Sequence, residues 1–246
     1  ALTESWNGTN WAETADLSVG RQQLSGAGAS NTSALAFSGN APSASASTEE
    51  FNTGVPVGVW ATGGSLNTAR TNIANAGTQT SALGFGGDPA PTKALTESYN
   101  GSNWTETTDL NTARQRLAGF GASNTAALAV GGLVDPGTQN ETELWNGSNW
   151  TEVNNMATGR IYLSGAGTTT ATIAAGGEVP SGNSAATELW NGTNWTEVND
   201  LNTGRYTAAV VGITTSALAF GGANPQYANT ESWNGTNWTE VNDLSG

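Results

Sequence analysis

Thr3-Glu4-Ser5-Trp6-Asn7-Gly8-Thr9-Asn10-Trp11 opens the chain, and the same phrase returns at Thr230 to Trp238. Close copies stand at Thr96 to Trp104, Thr142 to Trp150 and Thr187 to Trp195, and a stretched copy runs from Thr48 to Trp60. A chain that reuses one unit must be read as an array of structural modules before any residue is read as a catalyst. The last tryptophans of the phrases, Trp11, Trp60, Trp104, Trp150, Trp195 and Trp238, step by 49, 44, 46, 45 and 43 residues. Arg21, Arg70, Arg114, Arg160 and Arg205 step by 49, 44, 46 and 45. Two residue types on one period define a unit of about 45 residues, the size of a propeller blade.

Each unit divides into four short strand candidates. The first is expected to begin at the arginine, as in Arg160 to Gly167. The second is apolar and ends in glycine, as in Ser216 to Gly222. The third and fourth are Thr187 to Trp190 and Trp195 to Val198, joined by Asn191-Gly192-Thr193-Asn194. Asn-Gly accepts the positive φ of tight hairpins. No apolar i, i+3, i+4 pattern of helical length occurs, so the chain reads as all-β. Four short strands that cannot bury their own faces point to a β-propeller, with the tryptophans filling the spaces between blades.

The units resemble kelch repeats. Gly177, Glu188, Trp190, Asn191, Trp195, Leu201 and Arg205 fill, in order, the kelch slots of strand-ending glycine, acid, aromatic, Asn, spaced Trp, apolar residue and Arg. Five units fit. The first departs at Ser38, which replaces the first Gly of the pair, and the second has an expanded turn from Asn52 to Val59. The near-verbatim wording also resembles repeat arrays in structural proteins of marine bacteriophages. The resemblance implies a kelch-like propeller forming a single domain over 1–246, with repeat units at about 3–47, 48–95, 96–141, 142–186, 187–229 and a partial 230–246. The kelch family includes a copper oxidase with His, Tyr and Cys ligands. This chain has no His and no Cys, which excludes that activity.

Five arginine strands and five glycine-ended strands stand against six Trp hairpins. Small Ala and Gly side chains favour a tight five-bladed ring with one extra terminal hairpin. The alternatives are six blades with one incomplete, or a hairpin that completes a neighbour's blade. A spare hairpin is an unpaired edge. Trp6 and Trp11, or their counterparts Trp233 and Trp238, are therefore candidates for an exposed assembly surface. Trp104, Trp150 and Trp195 are read as inter-blade core. The five arginines are read as structural clamps meeting a repeated acid, such as Glu188 or Glu197, or turn carbonyls.

Composition narrows function. The net charge of −13 and only seven basic residues argue against nucleic acid and anionic membranes. There is no 18-residue apolar run. The lack of Cys and His removes thiolate catalysis, the usual general base and the commonest metal ligands. No cofactor or metal is expected. The chain opens inside a repeat, which suggests a mature product or a piece of a longer array.

The segments after the glycine strands vary most between units. They gather on one face in a propeller and carry Asp88, Lys93, Asp135, Glu178 and Tyr227 as candidate contacts. Val55, Val57 and Val59, in the expanded turn, form a candidate apolar patch. The expected function is a non-enzymatic structural or interaction propeller, virion-borne or extracellular, that assembles with protein partners or with itself, or contacts a host surface. A lectin-like module holding glycans on Trp and Asn is the second reading. A carboxylate-dependent hydrolase or isomerase at the central opening is the third.

Overall fold

The computed structural model describes residues 3–6, 11–52, 58–223 and 228–243. The described residues contain strands and turns and no helix, and none of their segments forms a helix long and apolar enough to cross a membrane. Five antiparallel four-stranded sheets form the five blades of a propeller. Blade 1 comprises Ser25–Ser30, Ser33–Phe37, Thr48–Asn52 and Val59–Thr62. Blade 2 comprises Ala74–Thr78, Ser81–Phe85, Thr96–Tyr99 and Trp104–Glu106. Blade 3 comprises Ala118–Ser123, Ala126–Val130, Thr142–Trp145 and Trp150–Val153. Blade 4 comprises Ser164–Thr168, Ala171–Ala175, Thr187–Trp190 and Trp195–Glu197. Blade 5 comprises Ala209–Ile213, Ser216–Phe220, Thr230–Trp233 and Trp238–Val241. Strands Glu4–Trp6 and Trp11–Glu13 pair only with each other, as a separate terminal hairpin. The first strands of successive blades pack against one another around the axis.

The second strands are apolar over most of their length, and in blades 1 to 4 both faces of their last three residues are covered. In blade 3, Ala127 and Ala129 pack with Leu83, Phe85, Trp145 and Trp150. The alternate residues Leu128 and Val130 pack with Leu163, Ala174 and Trp190 of blade 4. One inner strand thus belongs to two cores, which is why it reads as a continuous apolar run. First strands are glycine-rich because they crowd the axis. A Cβ on Gly119 would lie 2.2 Å from the Asn75 carbonyl oxygen and 2.7 Å from the Phe85 ring.

The tryptophans wedge the blades apart at a fixed spacing and bond across them. Trp104, Trp150, Trp195 and Trp238 donate Nε1–H to Thr48, Thr96, Thr142 and Thr187 of the preceding blade at 2.9–3.0 Å. Trp145, Trp190 and Trp233 donate to the Asn124, Thr169 and Thr214 carbonyls, each at 2.9 Å. The Asn-Gly turn holds itself: Asn191 Oδ1 accepts the amides of Thr193 at 2.9 Å and Asn194 at 2.8 Å, and Gly192 has φ 94°.

Replacing buried Thr96 with isosteric valine leaves the Trp150 indole N–H without an acceptor. That loss is expected to cost about 1–3 kcal/mol of unfolding free energy in urea titrations, with Thr96→Ser close to wild type. An equal effect of Val and Ser would remove the bond's role.

Two expectations need correction. The first strand of a unit does not begin at its arginine. Blade 4 starts at Ser164, and Arg160 lies in the segment leading to it. Ile161 and Leu163 alternate as strand residues do, but both are buried in the segment ahead of the strand, Leu163 among residues of blades 3 and 4. Trp233 and Trp238 are not an exposed edge. They are buried in blade 5, where Ala217 pairs with Trp233, so the C-terminal hairpin completes a full blade. Unlike it, the N-terminal hairpin pairs with no inner strand among the described residues. The side chains of Trp6 and Trp11 lie outside the described residues.

Candidate functional site

The repeated charges form clamps. Arg160 donates from Nη1 to the carbonyls of Gly176 at 2.8 Å and Ala186 at 2.6 Å, and from Nη2 to Glu188 Oε1 at 2.8 Å. Glu188 Oε2 accepts the Ala157 amide at 2.8 Å. Both side chains are fully buried. The arginine therefore ties the exit of the second strand to the entry of the third, and the acid anchors the incoming chain. The partner is Glu188, while Glu197 takes no part in the contact. Arg21, Arg70, Arg114 and Arg205 repeat the arrangement with Glu49, Glu97, Glu143 and Glu231. Burial lowers the Arg160 and Arg70 pKa values, and the charges of Glu188 and Glu97 pull them back. Every one of these contacts is spent inside a blade, so the ring of arginines is no anion site.

In blade 1 the first glycine of the exit pair is Ser38, which holds the same left-handed conformation at φ 67°. A Cβ at its counterpart Gly131 would lie 2.6 Å from the Arg160 carbonyl oxygen. Ser38 turns that crowding into a bond, its hydroxyl donating to the Arg70 carbonyl.

Two residues beyond each clamp arginine stand Gln23, Asn72, Arg116, Tyr162 and Thr207. All five are left-handed, with φ between 52° and 57°. Such a conformation costs a non-glycine residue about 1–2 kcal/mol. Backbone bonds link four of them around the axis: Arg116 N–H to the Asn72 carbonyl at 3.1 Å, Tyr162 N–H to the Arg116 carbonyl at 2.9 Å, and Thr207 N–H to the Tyr162 carbonyl at 3.1 Å. Their side chains rim an axial cavity of about 380 Å³, floored by Leu24, Ile73, Leu117, Leu163 and Ala208.

The rim is chemically lopsided. The Arg116 guanidinium carbon sits 5.2 Å from the centroid of the Tyr162 ring, and Tyr162 stacks on Tyr206 at 5.7 Å. Burial pushes the Tyr162 phenol up, with Arg116 opposing it. Arg116 Nε and Gln115 Oε1 are buried without a protein partner. The same rim carries the amides of Gln23 and Asn72, the latter donating to Asp88 at 3.1 Å. The arrangement offers a cation, a stacking face and amides, the groups that receive a polar ligand with a flat apolar side.

The variable connections reach the same face. Their first residues, among them Asp88 and Glu178, bridge to the residue just before each axial one, Thr71 and Ile161 in these two cases. Asp88 also accepts the Thr71 hydroxyl. Asp135 is exposed at the turn of a two-stranded ribbon, Leu133–Val134 with Gly137–Thr138, and half-buried Lys93 bonds through its amide to the Gly87 carbonyl at 2.7 Å. Neither lines the cavity. Val59 is exposed. Tyr227, Val55 and Val57 lie outside the described residues. The tryptophans offer no sugar platform where they are described as buried core.

Sequence reasoning missed Gln23, Asn72, Arg116, Tyr162, Tyr206 and Thr207. The signal was present: the second residue after Arg reads Gln, Asn, Arg, Tyr and Thr, between an invariant arginine and a largely apolar position. Thr207 tests the strain. A β-branched residue is least suited to this conformation. Thr207→Gly is expected to raise unfolding free energy by about 0.5–1 kcal/mol after glycine's entropic cost. Destabilisation by the same amount would show that Thr207 is held by favourable contacts instead.

Comparison of the chain with protein-family models and with curated proteins returns no match.

Proposed function

We propose that this propeller is a non-enzymatic interaction module that reads a partner at its axial mouth. One observation carries the proposal: five different side chains, each held in a costly left-handed conformation, surround one opening on an otherwise repeated frame. Strain kept at a site that varies while its scaffold does not is the mark of selected side chains. The GG, Glu, Trp and Arg positions in the blades support a kelch-type reading. The repeat wording and the strongly acidic composition support a surface component of a virion or of an extracellular assembly.

A lectin-like reading is favoured by the rim itself, since Tyr162, Arg116 and the amides of Gln23 and Asn72 suit a saccharide carrying a carboxylate. No carboxylate side chain lines the cavity, so nothing there supports the hydrolase reading. Binding to an array of neutral and acidic glycans and host-surface proteins tests the proposal. Wild-type protein is expected to bind a restricted set, and Arg116→Ala with Tyr162→Ala to abolish that binding without unfolding. Silence across the array, or binding indifferent to both substitutions, would refute the axial mouth as the reading surface.

A further inference from the structure

Four of the described hairpin turns contain an Asn-Gly bond: Asn100-Gly101, Asn146-Gly147, Asn191-Gly192 and Asn234-Gly235. One geometry holds them all. Asn191 Oδ1 accepts the amides of Thr193 at 2.9 Å and Asn194 at 2.8 Å. Asn100, Asn146 and Asn234 accept the two equivalent amides at 2.9–3.0 Å. The four asparagines are exposed, and their glycines have φ between 92° and 94°. Among the described residues, neither the asparagine Nδ2 nor the glycine N–H of these turns has a hydrogen-bond partner.

Asparagines elsewhere are arranged differently. Apart from Asn7, which lies outside the described residues, no other asparagine precedes a glycine. Asn67, Asn111 and Asn202 donate Nδ2 to Glu97, Glu143 and Glu231. Asn154 and Asn199 donate theirs to the turn of the next blade. Asn103, Asn149, Asn194 and Asn237 are each followed by a tryptophan packed between blades.

The Asn-Gly turns hold the parts of an acyl transfer within the chain. The nucleophile is the glycine nitrogen, unbonded and with no Cβ beside it. The electrophile is the asparagine Cγ, whose oxygen already faces two N–H donors, as in an oxyanion hole. The leaving group is the exposed Nδ2. Charge does not oppose the reaction locally. The four glycines pack beside Thr80, Thr125, Thr170 and Thr215 of the inner hairpins, and residues 78–81, 123–126, 168–171 and 213–216 contain no acid or base. The Asn-Gly turns themselves contain none either, so no adjacent carboxylate disfavours an amide anion.

We infer that these four turns are self-modification sites, at which the chain converts asparagine to a carboxylate with water as the co-reactant. In blade 4, hydroxide takes the Gly192 amide proton, and the nitrogen adds to Asn191 Cγ to close a five-membered ring. The carbonyl electron pair moves onto Oδ1, where the amides of Thr193 and Asn194 hold it. The carbonyl then re-forms, and Nδ2 takes a proton from water and leaves as ammonia, which restores the hydroxide. A second step adds water to one of the two imide carbonyls and gives aspartate or isoaspartate. Each turn consumes one water and releases one ammonia.

The two products differ in what they preserve. Aspartate keeps an oxygen in the place of Oδ1, and its charge strengthens both amide bonds. Isoaspartate carries the side-chain methylene in the main chain. The longer turn cannot keep both the pairing of Trp190 with Trp195 and the bond from Asn154 to the Thr193 carbonyl. With either product, turns that hold no charge when new gain a negative one. Strand Ser164–Thr168 separates this end of the blade from Tyr162, so the device is independent of the axial mouth.

The test is incubation of the folded protein in mildly alkaline buffer, followed by proteolytic mapping and mass spectrometry that separates aspartate from isoaspartate. A synthetic peptide of residues 187–195 is the reference. A turn that must first open reacts more slowly in proportion to its opening equilibrium, whereas all four turns are expected to convert within about tenfold of the peptide's rate. Asn103, Asn154 and Asn194 are expected to stay intact over the same period. Asn191→Gln places the amide one methylene further out. It should slow its own turn about tenfold or more and leave the other three unchanged. Conversion of the wild-type turns at less than a tenth of the peptide's rate overturns the inference, because the fold would then be protecting them. Equal conversion at Asn103 or Asn194 overturns it as well, since the turn geometry would then select nothing.

Discussion

Arg160→Ala is expected to lower the unfolding free energy by about 3–5 kcal/mol. The substitution leaves Glu188 fully buried with only the Ala157 amide for company, strips the Gly176 carbonyl of its donor and leaves the Ala186 carbonyl with only the Gly176 amide. Those losses fall on groups that water cannot reach, so the full desolvation penalty applies. The direction of the controls matters more than the single value. Glu188→Gln keeps a polar acceptor for Arg160 but removes the charge, and is expected to cost less. Arg160→Met with Glu188→Leu removes both charges together and is expected to recover a large part of the loss, since buried ion pairs give little net stability over apolar replacements. A double-mutant cycle by urea unfolding measures the coupling. If Arg160→Ala stayed within about 1 kcal/mol of wild type, the clamp would contribute far less than its burial implies.

Trp190→Ala is the second large effect, at about 3–5 kcal/mol. Trp190 is 2 % exposed and packs with Phe120, Leu128 and Val130 of blade 3, with its indole 5.4 Å from Trp195. Its removal opens a void at the contact of two blades and deletes the bond to the Thr169 carbonyl. The surrounding strands are fixed by their own ladders, so they cannot collapse into the space. Trp190→Phe keeps the ring but loses the N–H, and is expected to fall about midway. Thermal unfolding of the two variants separates wedge from bond: equal destabilisation would assign the whole effect to the hydrogen bond.

The parts of the fold that sequence reveals are those where one residue has one task. The clamp arginines make the same ion pair in every blade, and the spaced tryptophans of blades 2 to 5 the same threonine bond, so their period shows directly. The Asn-Gly turns follow from a backbone need that few residues meet. The strand boundary lies beyond Arg160 because buried Ile161 and Leu163 alternate in the segment that leads into the strand, Leu163 packing among residues of blades 3 and 4. The two terminal hairpins share nearly the same words, yet only Thr230–Trp233 has an inner strand, Ser216–Phe220, immediately before it to pair with. Burial follows from that neighbour, not from the hairpin's own residues. The axial mouth stayed hidden because its residues differ from blade to blade, and because left-handed Tyr162 or Thr207 leaves no mark in composition. Geometry gathers them from five distant places in the chain.

Hydrogen exchange at the tryptophan indoles, followed by two-dimensional NMR, tests the propeller account most directly. Seven indole N–H groups, those of Trp104, Trp145, Trp150, Trp190, Trp195, Trp233 and Trp238, are hydrogen-bonded within or between blades. They are expected to exchange slowly, with protection that collapses together on unfolding. Rapid exchange of these seven at the rate of free indole would mean that the rings face water, and would contradict a structure held together by tryptophans between blades.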